Sequence, residues 1–468
     1  MGKRIHATDL YSLIQCDRQV YLDHHGDRSL RVEADAYQAW LRKQGQEHEA
    51  QVIQALEVHK PPYTYDNLDI GFEITLGLMK EGVKTIYQGV LIDGDLVGIP
   101  DLLERVEGES KLGAWHYRPV DIKSASKSTQ GHRLQVMAYC ALLEAIQGLR
   151  PEGGLMLNAA VEERAAGERY QLETVEFDEA LFGEQISQAH LLADGREPKP
   201  FLSSTCGSCA WREVCTPMVE AAGDVSLIPG LHRNVWRELH RMGLGTLAAL
   251  AEKEPEDILD IKGVGDKTAA QIIQRARALH RNEVIVLARP ELPPAGCIIF
   301  DVESAPAEGV FYLMGTLIGE EYRTDLAESP QDEGHMWWSF IGRMKGTQGP
   351  IAHYGNYERQ TVSKLAERHG GAEEAEALLG RMVDLEKALK ECAVLPLRSY
   401  SLKSVAPWMG FSWDSEVEGG ADSILEYIGW REDGDRAHLK RISDYNRADC
   451  IATRRVLEWL HGLGEPGG

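Results

Sequence analysis

In the run VDIKS, Asp121 and Lys123 stand two residues apart, so an extended backbone turns both side chains to one face. Asp101, in GIPD, ends the strand read just before, close enough to share a divalent ion with Asp121. Carboxylates so placed hold Mg²⁺ or Mn²⁺, the ion activates water, and a lysine steadies charge on a phosphate: the requirements of phosphodiester hydrolysis. Gln135 and Tyr139, at i and i+4 in TQGHRLQVMAYCALLEAI, share a helical face from which they can position the lysine or a nucleic-acid backbone. His48, in KQGQEHEA, is a further candidate metal ligand, with Glu47 and Glu49 as adjacent alternatives. A lone D-x-K is common on solvated strands; the ordered set is what gives it weight.

A second acidic set lies in the other half of the chain. CIIFDVES puts Asp301 and Glu303 on one face of an apolar strand, and YNRADCIATRRVLEWL puts Tyr445 and Asp449 one helical turn apart. Glu358 in IAHYGNYER and Asp384 in MVDLEK compete for the place of a middle carboxylate, and Glu358 is preferred. The bland alternative is a decayed site kept for binding.

Cys16 and the three cysteines of CGSCAWREVC, Cys206, Cys209 and Cys215, offer four thiolates from the two ends of one segment. Such a set closes a structural zinc site or an iron-sulfur site equally well, and spacing does not choose between them. Cys140, Cys297, Cys392 and Cys450 sit in apolar or helical patterns and read as core thiols. Eight cysteines in 468 residues are too few for a disulfide scaffold.

Between these regions LIPGLHRNVWRELHRMGLGTLAALAE and ILDIKGVGDKTAAQIIQRARALH resemble each other, each with a glycine-containing turn leading into an amphipathic helix. The second copy, with Gly263 and Gly265 in its turn and Lys267 beside them, resembles a helix-hairpin-helix motif, which implies that backbone N–H groups there approach a phosphate at a helix N-terminus. The first copy has Gly230 but no second glycine in its turn. A packing spacer is the competing reading. GVGDKT lacks the GK of a P-loop because Asp266 intervenes, so no ATP binding by this chain is expected.

The length implies two or three domains, and 43% hydrophobic with 26% charged residues is ordinary for a globular protein. Neither a signal peptide nor a membrane-length apolar run is read, so a cytoplasmic protein with no membrane partner is expected. A net charge of −23 argues against a broad basic groove, yet residues 226–281 carry nine Lys+Arg against seven Asp+Glu, a net of +2, leaving 41 against 66 elsewhere. Residues 33–59 read as a helix, KTIYQGVLIDGDLVGIPDLLERV as two strands about the Asp93-Gly94 turn, AWHYRPVDIKS as a third, and GGLMLNAAV as a strand after the next helix. ARPELPPAG then marks a break before an α/β region that runs to the end.

On these motifs the N-terminal 215 residues resemble the RecB-type branch of the PD-(D/E)xK nucleases, which includes CRISPR-associated exonucleases and the AddB nuclease domain with their C…CxxCx5C four-iron clusters. That resemblance implies His48, Asp101, Asp121 and Lys123 as an active site, Gln135 and Tyr139 as the family's Q-x-x-x-Y helix, and a 4Fe-4S cluster on Cys16, Cys206, Cys209 and Cys215, with zinc as the alternative. IKGVGDKTAAQII resembles a helix-hairpin-helix motif. The C-terminal motifs, with SLKSVAPWMGF before the last of them, resemble DnaQ-like exonucleases of the DEDDy kind on an RNase H fold, which implies Asp301, Glu303 and Asp449 around divalent metal, Glu358 rather than Asp384 as the middle catalytic carboxylate, and Tyr445 aligning the attacking water.

The whole resembles RecB-like nucleases that carry all three parts in one chain. The fold class expected is therefore α/β multidomain: a restriction-endonuclease-like core over residues 1–218, a helical hairpin tandem over 224–284 and an RNase H-like domain over 295–463. The implied activity is metal-dependent hydrolysis of DNA, at single strands or ends, in repair- or recombination-type processing, with a separate helicase as a conceivable partner. A non-catalytic nucleic-acid-binding subunit and an RNA-processing exonuclease are the alternatives; nothing in the chain reads a 2′-hydroxyl.

Overall fold

Thr129 and Gly148 bracket the helix on which the N-terminal unit is built. Thr129 accepts a hydrogen bond from the His132 N–H at 3.2 Å, and Gly148 takes φ +72° to end Gln130–Gln147. Between these caps Leu134, Val136, Met137, Ala138 and Cys140 are buried against Ile5, Leu10, Leu13 and Val20, from the N-terminal strand and the first two helices, and against Leu155 of the sheet. The structure, a computed structural model, describes residues 3–125, 127–157, 172–289 and 291–464. It divides into two compact units, Met1–Pro217 and Met218–Gly468.

In the first unit a five-stranded sheet runs Thr85–Tyr87, Leu102–Ser110, Gly113–Lys123, Gly153–Leu157, Glu173–Val175. Only the pairing of Gly113–Lys123 with Gly153–Leu157 is parallel, and the helix Gln130–Gln147 is its crossover. The hairpin about Gly94 forms, but the long strand expected after it divides. Leu96–Gly98 pairs with Leu91–Asp93 and Ile5–His6 in a separate three-stranded sheet, and Leu102–Ser110 begins a new ladder. Pro100 lies at the break and has no N–H to give either ladder. Asp101 therefore precedes its strand rather than ending one.

The helix expected over residues 33–59 is shorter, Ala36–Gln54, capped by Asp35 accepting from the Gln38 N–H at 2.7 Å. A helix not read from the sequence, Leu68–Glu81, follows it. The strand expected over GGLMLNAAV covers Gly153–Leu157, and its remainder, 158–161, lies outside the described residues.

In the second unit Gly230 (φ +70°) and Gly263 (φ +89°) make the turns before the helices Arg233–Arg241 and Asp266–Arg281. A five-stranded sheet follows in the order Glu321–Leu326, Val310–Ile318, Ile298–Ala305, Ile351–His353, Met382–Asp384. Its first three strands are antiparallel neighbours and its last two pairings are parallel. The 26-residue helix Arg436–His461 packs on the central strands, with Cys450, Val456, Leu457 and Leu460 buried in their core. Cys140, Cys297, Cys392 and Cys450 are all buried. No helix among the described residues is long and apolar enough to cross a membrane.

Candidate functional site

Asp121 and Lys123 lie on one face at the end of Gly113–Lys123, Asp121 within the strand's buried stretch and Lys123 at its last residue, where the side chain keeps partial access. Lys123 Nζ sits 2.5 Å from Asp121 Oδ2, and Asp101 Oδ2 accepts the Ile122 N–H at 2.6 Å, which brings both aspartates to one strand end. Burial pushes the Asp101 carboxyl well above the usual range, and the Asp121 charge adds to the push. Burial would lower the Lys123 ammonium, but Asp121, Asp101 and Glu49 outweigh it and hold it above its ordinary value.

Gln135 donates to the Tyr139 hydroxyl at 2.7 Å, and Tyr139 donates to the Ile99 carbonyl at 3.3 Å, so this pair is tied to the segment that leads into Asp101. The helix Ala36–Gln54 contributes Glu49, which accepts from Tyr87 at 2.9 Å and Gln88 at 3.2 Å and lies within electrostatic reach of Asp101. His48 beside it is half-buried. Its Nε2 is fully buried and finds no hydrogen-bond partner among the described residues, and burial lowers its basicity, so it is a neutral nitrogen suited to a ligand's role. Glu47 is exposed on another face, in salt-bridge range of Lys43.

The second constellation is tighter. One carboxylate oxygen from each of Asp301, Glu303 and Asp449 lies within 4.8 Å of the others. Asp301 and Glu303 come from the central strand, and Asp449 with Tyr445 from one face of the long helix. Burial, then the charges of Asp449, Glu303 and Glu358, pushes the Asp301 carboxyl well above the usual range. Burial and Asp449 push Glu303 up to about 8. Clustered hard oxygens that resist ionisation in one another's company fit a divalent cation of the Mg²⁺ or Mn²⁺ type, whose charge would relieve them. Tyr445 is buried one helical turn before Asp449, and burial together with the charges of Asp449, Glu303 and Asp301 keeps it protonated.

Glu358 and Asp384 part company here. Asp384 caps the helix Leu385–Cys392, accepting from Glu386 N–H at 2.9 Å and Lys387 N–H at 3.2 Å, and takes the Gly355 N–H at 3.0 Å. Glu358 is buried within reach of the Asp301 charge, with His353 Nδ1 3.3 Å from its Oε2.

Three further residues belong to this site. Asn446 donates to Asp301 Oδ2 at 2.7 Å and lies 3.3 Å from Glu303 Oε1, while its own Oδ1 accepts from Tyr322 at 2.9 Å. A Cβ on Gly315, the strand partner of Asp301, would stand 1.7 Å from that Oδ1, so only glycine admits Asn446. Lys403 and Trp413 both donate to Asp449 Oδ1, at 3.2 and 2.5 Å. Asn446 sits one turn before Asp449 on the same face, a signal present in the sequence; Lys403 lies in the SLKSVAPWMGF segment, whereas Trp413 carries no signal without the fold.

Cys16, Cys206, Cys209 and Cys215 line one cavity of about 300 Å³. The Ser203 N–H donates to Cys206 Sγ at 3.3 Å and the Trp211 N–H to Cys209 Sγ at 3.4 Å, contacts that favour thiolate sulfur. Burial raises the Cys209 and Cys215 thiols, with neighbouring cysteines contributing in both cases. Four cysteines lining one cavity are the donor types a thiolate-bound metal group takes, though no three of their sulfurs lie within 4.8 Å of one another.

At the hairpins Gly263, Gly265 and Lys267 are exposed, and Gly265 is the N-cap of Asp266–Arg281, leaving first-turn N–H groups open to solvent.

Residues 3–216 match the PD-(D/E)XK nuclease superfamily and residues 298–461 the RNase H superfamily. The chain joins two nuclease folds. Residues 225–278 between them match the SAM-like helix-hairpin-helix tandem. No curated protein matches the chain.

Proposed function

We propose that this chain is a metal-dependent nuclease that hydrolyses phosphodiester bonds of DNA, at single strands or ends, in repair- or recombination-type processing. The observation that carries the reading is the convergence of Asp301, Glu303 and Asp449 within 4.8 Å, with Tyr445 one turn before Asp449 on the same helix. Asp301, Glu303 and Asp449, with Glu358 beyond them, would hold divalent cation in the C-terminal site; Asp101 and Asp121, with His48 or Glu49, would do so in the N-terminal one. Bound there, Mg²⁺ or Mn²⁺ supplies an activated nucleophile and neutralises charge at the phosphorus.

The chain's own groups do the rest. Lys123 supplies positive charge beside the phosphate, Gln135 and Tyr139 fix the approach to Asp101, and Tyr445 orients the attacking water through its hydroxyl. Cys16, Cys206, Cys209 and Cys215 would hold a 4Fe-4S cluster that ties the start of the first unit to its end. In support, all four cysteines line one cavity of about 300 Å³, and the Ser203 and Trp211 N–H groups donate to two of their sulfurs. Gly263, Gly265 and Lys267 would grip phosphates without reading sequence. Domain limits of 1–218, 224–284 and 295–463 accompany this reading.

The test is cleavage of labelled single-stranded DNA and RNA with Mn²⁺ by the parent chain, Lys123→Ala, Asp301→Ala and the double variant. Each single substitution should lower cleavage, and the double should abolish it. Undiminished cleavage by the double variant overturns the proposal, binding without cleavage by the parent points to a non-catalytic subunit, and RNA preference points to RNA processing.

A further inference from the structure

Lys403 lies on the short helix Leu402–Trp408, far in sequence from the carboxylates it meets. Its Nζ is 3.2 Å from Asp449 Oδ1, 3.9 Å from the centroid of the Trp413 ring and 4.3 Å from that of Tyr445. The Trp413 N–H donates to the same Asp449 oxygen, so one indole both steadies the carboxylate and carries the ammonium on its face. A lysine has four rotatable bonds to immobilise, and here a carboxylate and two aromatic rings do so together. The side chain is not sealed in: it is 35% exposed, beside a carboxylate set of which Glu303, Glu358 and Asp449 are buried and Asp301 is half-buried. Its charge also reaches Asp301 and Glu303 and eases their ionisation.

We propose that Lys403 is a catalytic residue of the C-terminal site, its ammonium hydrogen-bonding a non-bridging oxygen of the scissile phosphate. This rests on the nuclease reading of that site. An ammonium has three N–H donors, of which Asp449 takes one, and the solvent-facing side is where a phosphate must arrive to meet the triad. Attack of water on a phosphodiester forms one P–O bond as the bond to the leaving oxygen breaks, and negative charge on the phosphoryl oxygens must be met by a fixed positive group. Lys403 makes and breaks no covalent bond. Trp413 and Tyr445 hold its position, which assigns Trp413 as a positioning residue and gives Tyr445 a second role.

The experiment uses the full chain carrying Lys123→Ala, so that remaining cleavage reports the C-terminal site, with Asp301→Asn as its control. Into that background go Lys403→Met, which keeps length and loses charge, and Lys403→Arg. Cleavage of a single-stranded oligonucleotide with Mn²⁺ should lose about a hundredfold in kcat in Lys403→Met. KM should change less than about threefold, and Lys403→Arg should recover part of the loss. Calorimetric binding of thymidine 5′-monophosphate with Ca²⁺ should weaken about tenfold in Lys403→Met, with the melting temperature unchanged. A kcat within about threefold of the parent, or nucleotide affinity unaltered by Lys403→Met, overturns the proposal. Cleavage indifferent to Asp301→Asn overturns instead the nuclease reading of this site. Where the background does not cleave, nucleotide binding decides alone, and a parent that neither cleaves nor binds removes both.

Discussion

The N-terminal site balances its aspartates with a lysine two residues along the same strand, whereas the C-terminal site gathers three carboxylates and borrows its lysine from a separate helix. Asp121 and Lys123 meet because a strand repeats every two residues. Asp301, Glu303, Lys403 and Asp449 meet only because the sheet, a short helix and the long helix pack together. The first arrangement is robust to changes elsewhere in its unit. The second depends on spacing between elements, and a single methyl group between two of them suffices to open it.

The sharpest way to break this contrast is Gly315→Ala. The added Cβ at 1.7 Å from Asn446 Oδ1 displaces the side chain that holds Asp301 and Glu303. Overpacking of this kind costs about 1–3 kcal/mol. We expect Asp301-dependent cleavage to fall about a hundredfold while Lys123-dependent cleavage is untouched. Assays in the Lys123→Ala and Asp301→Ala backgrounds separate the two, and equal losses in both would show that the sites are not independent.

A second, intermediate effect follows from charge. Glu303 is held up to about 8, so between the ordinary carboxyl value of 4.5 and about 8 the folded chain keeps a proton that the unfolded chain has released. Metal-free stability attributable to this group should therefore fall as pH rises through that window. Melting temperature in EDTA should drop from pH 5 to pH 8, Mn²⁺ should raise it more at pH 8, and Glu303→Gln should flatten the slope. A slope unaltered by Glu303→Gln would place the titration elsewhere.

The smallest effect is expected at the other site. Gln135→Ala removes one hydrogen bond to Tyr139, which still donates to Ile99, at a cost of about 1 kcal/mol. Lys123-dependent cleavage should fall no more than about tenfold, and a larger loss in kcat would move Gln135 from support into contact with substrate.

Elements whose logic is local were legible in the sequence: the capped helix Gln130–Gln147, the hairpin at Gly94, and the glycine turns at 230 and 263. The fate of residues 96–106 was not, because a continuous apolar alternation says nothing about which sheet each half joins, and Pro100 decided it. Glu358 could be preferred to Asp384 from motif order, but the physical reason, that Asp384 is committed to a helix cap, appears only in three dimensions. Glu49 faces Asp101 while its neighbour Glu47 does not, a difference of helical phase that depends on how Ala36–Gln54 lies on the sheet. Lys403 lies in SLKSVAPWMGF, a segment legible in the sequence, but its meeting with Asp449 and Trp413 is a product of packing between elements.

The short pairing of Ile285–Val286 with Ala393–Val394 bears on how the second half of the chain can be dissected. The Leu287 N–H also reaches the Cys392 carbonyl at 2.7 Å, and Val284 and Leu292 lie against the hydrophobic cluster that includes Leu389 and Leu457. A truncation beginning at the RNase H-like strand would strip that edge of its partner and leave apolar surface bare, inviting self-association. Fragments meant for crystallisation or separate enzymology should start ahead of the hairpins, so that Ile285–Val286 travels with Ala393–Val394, its partner in a two-stranded sheet.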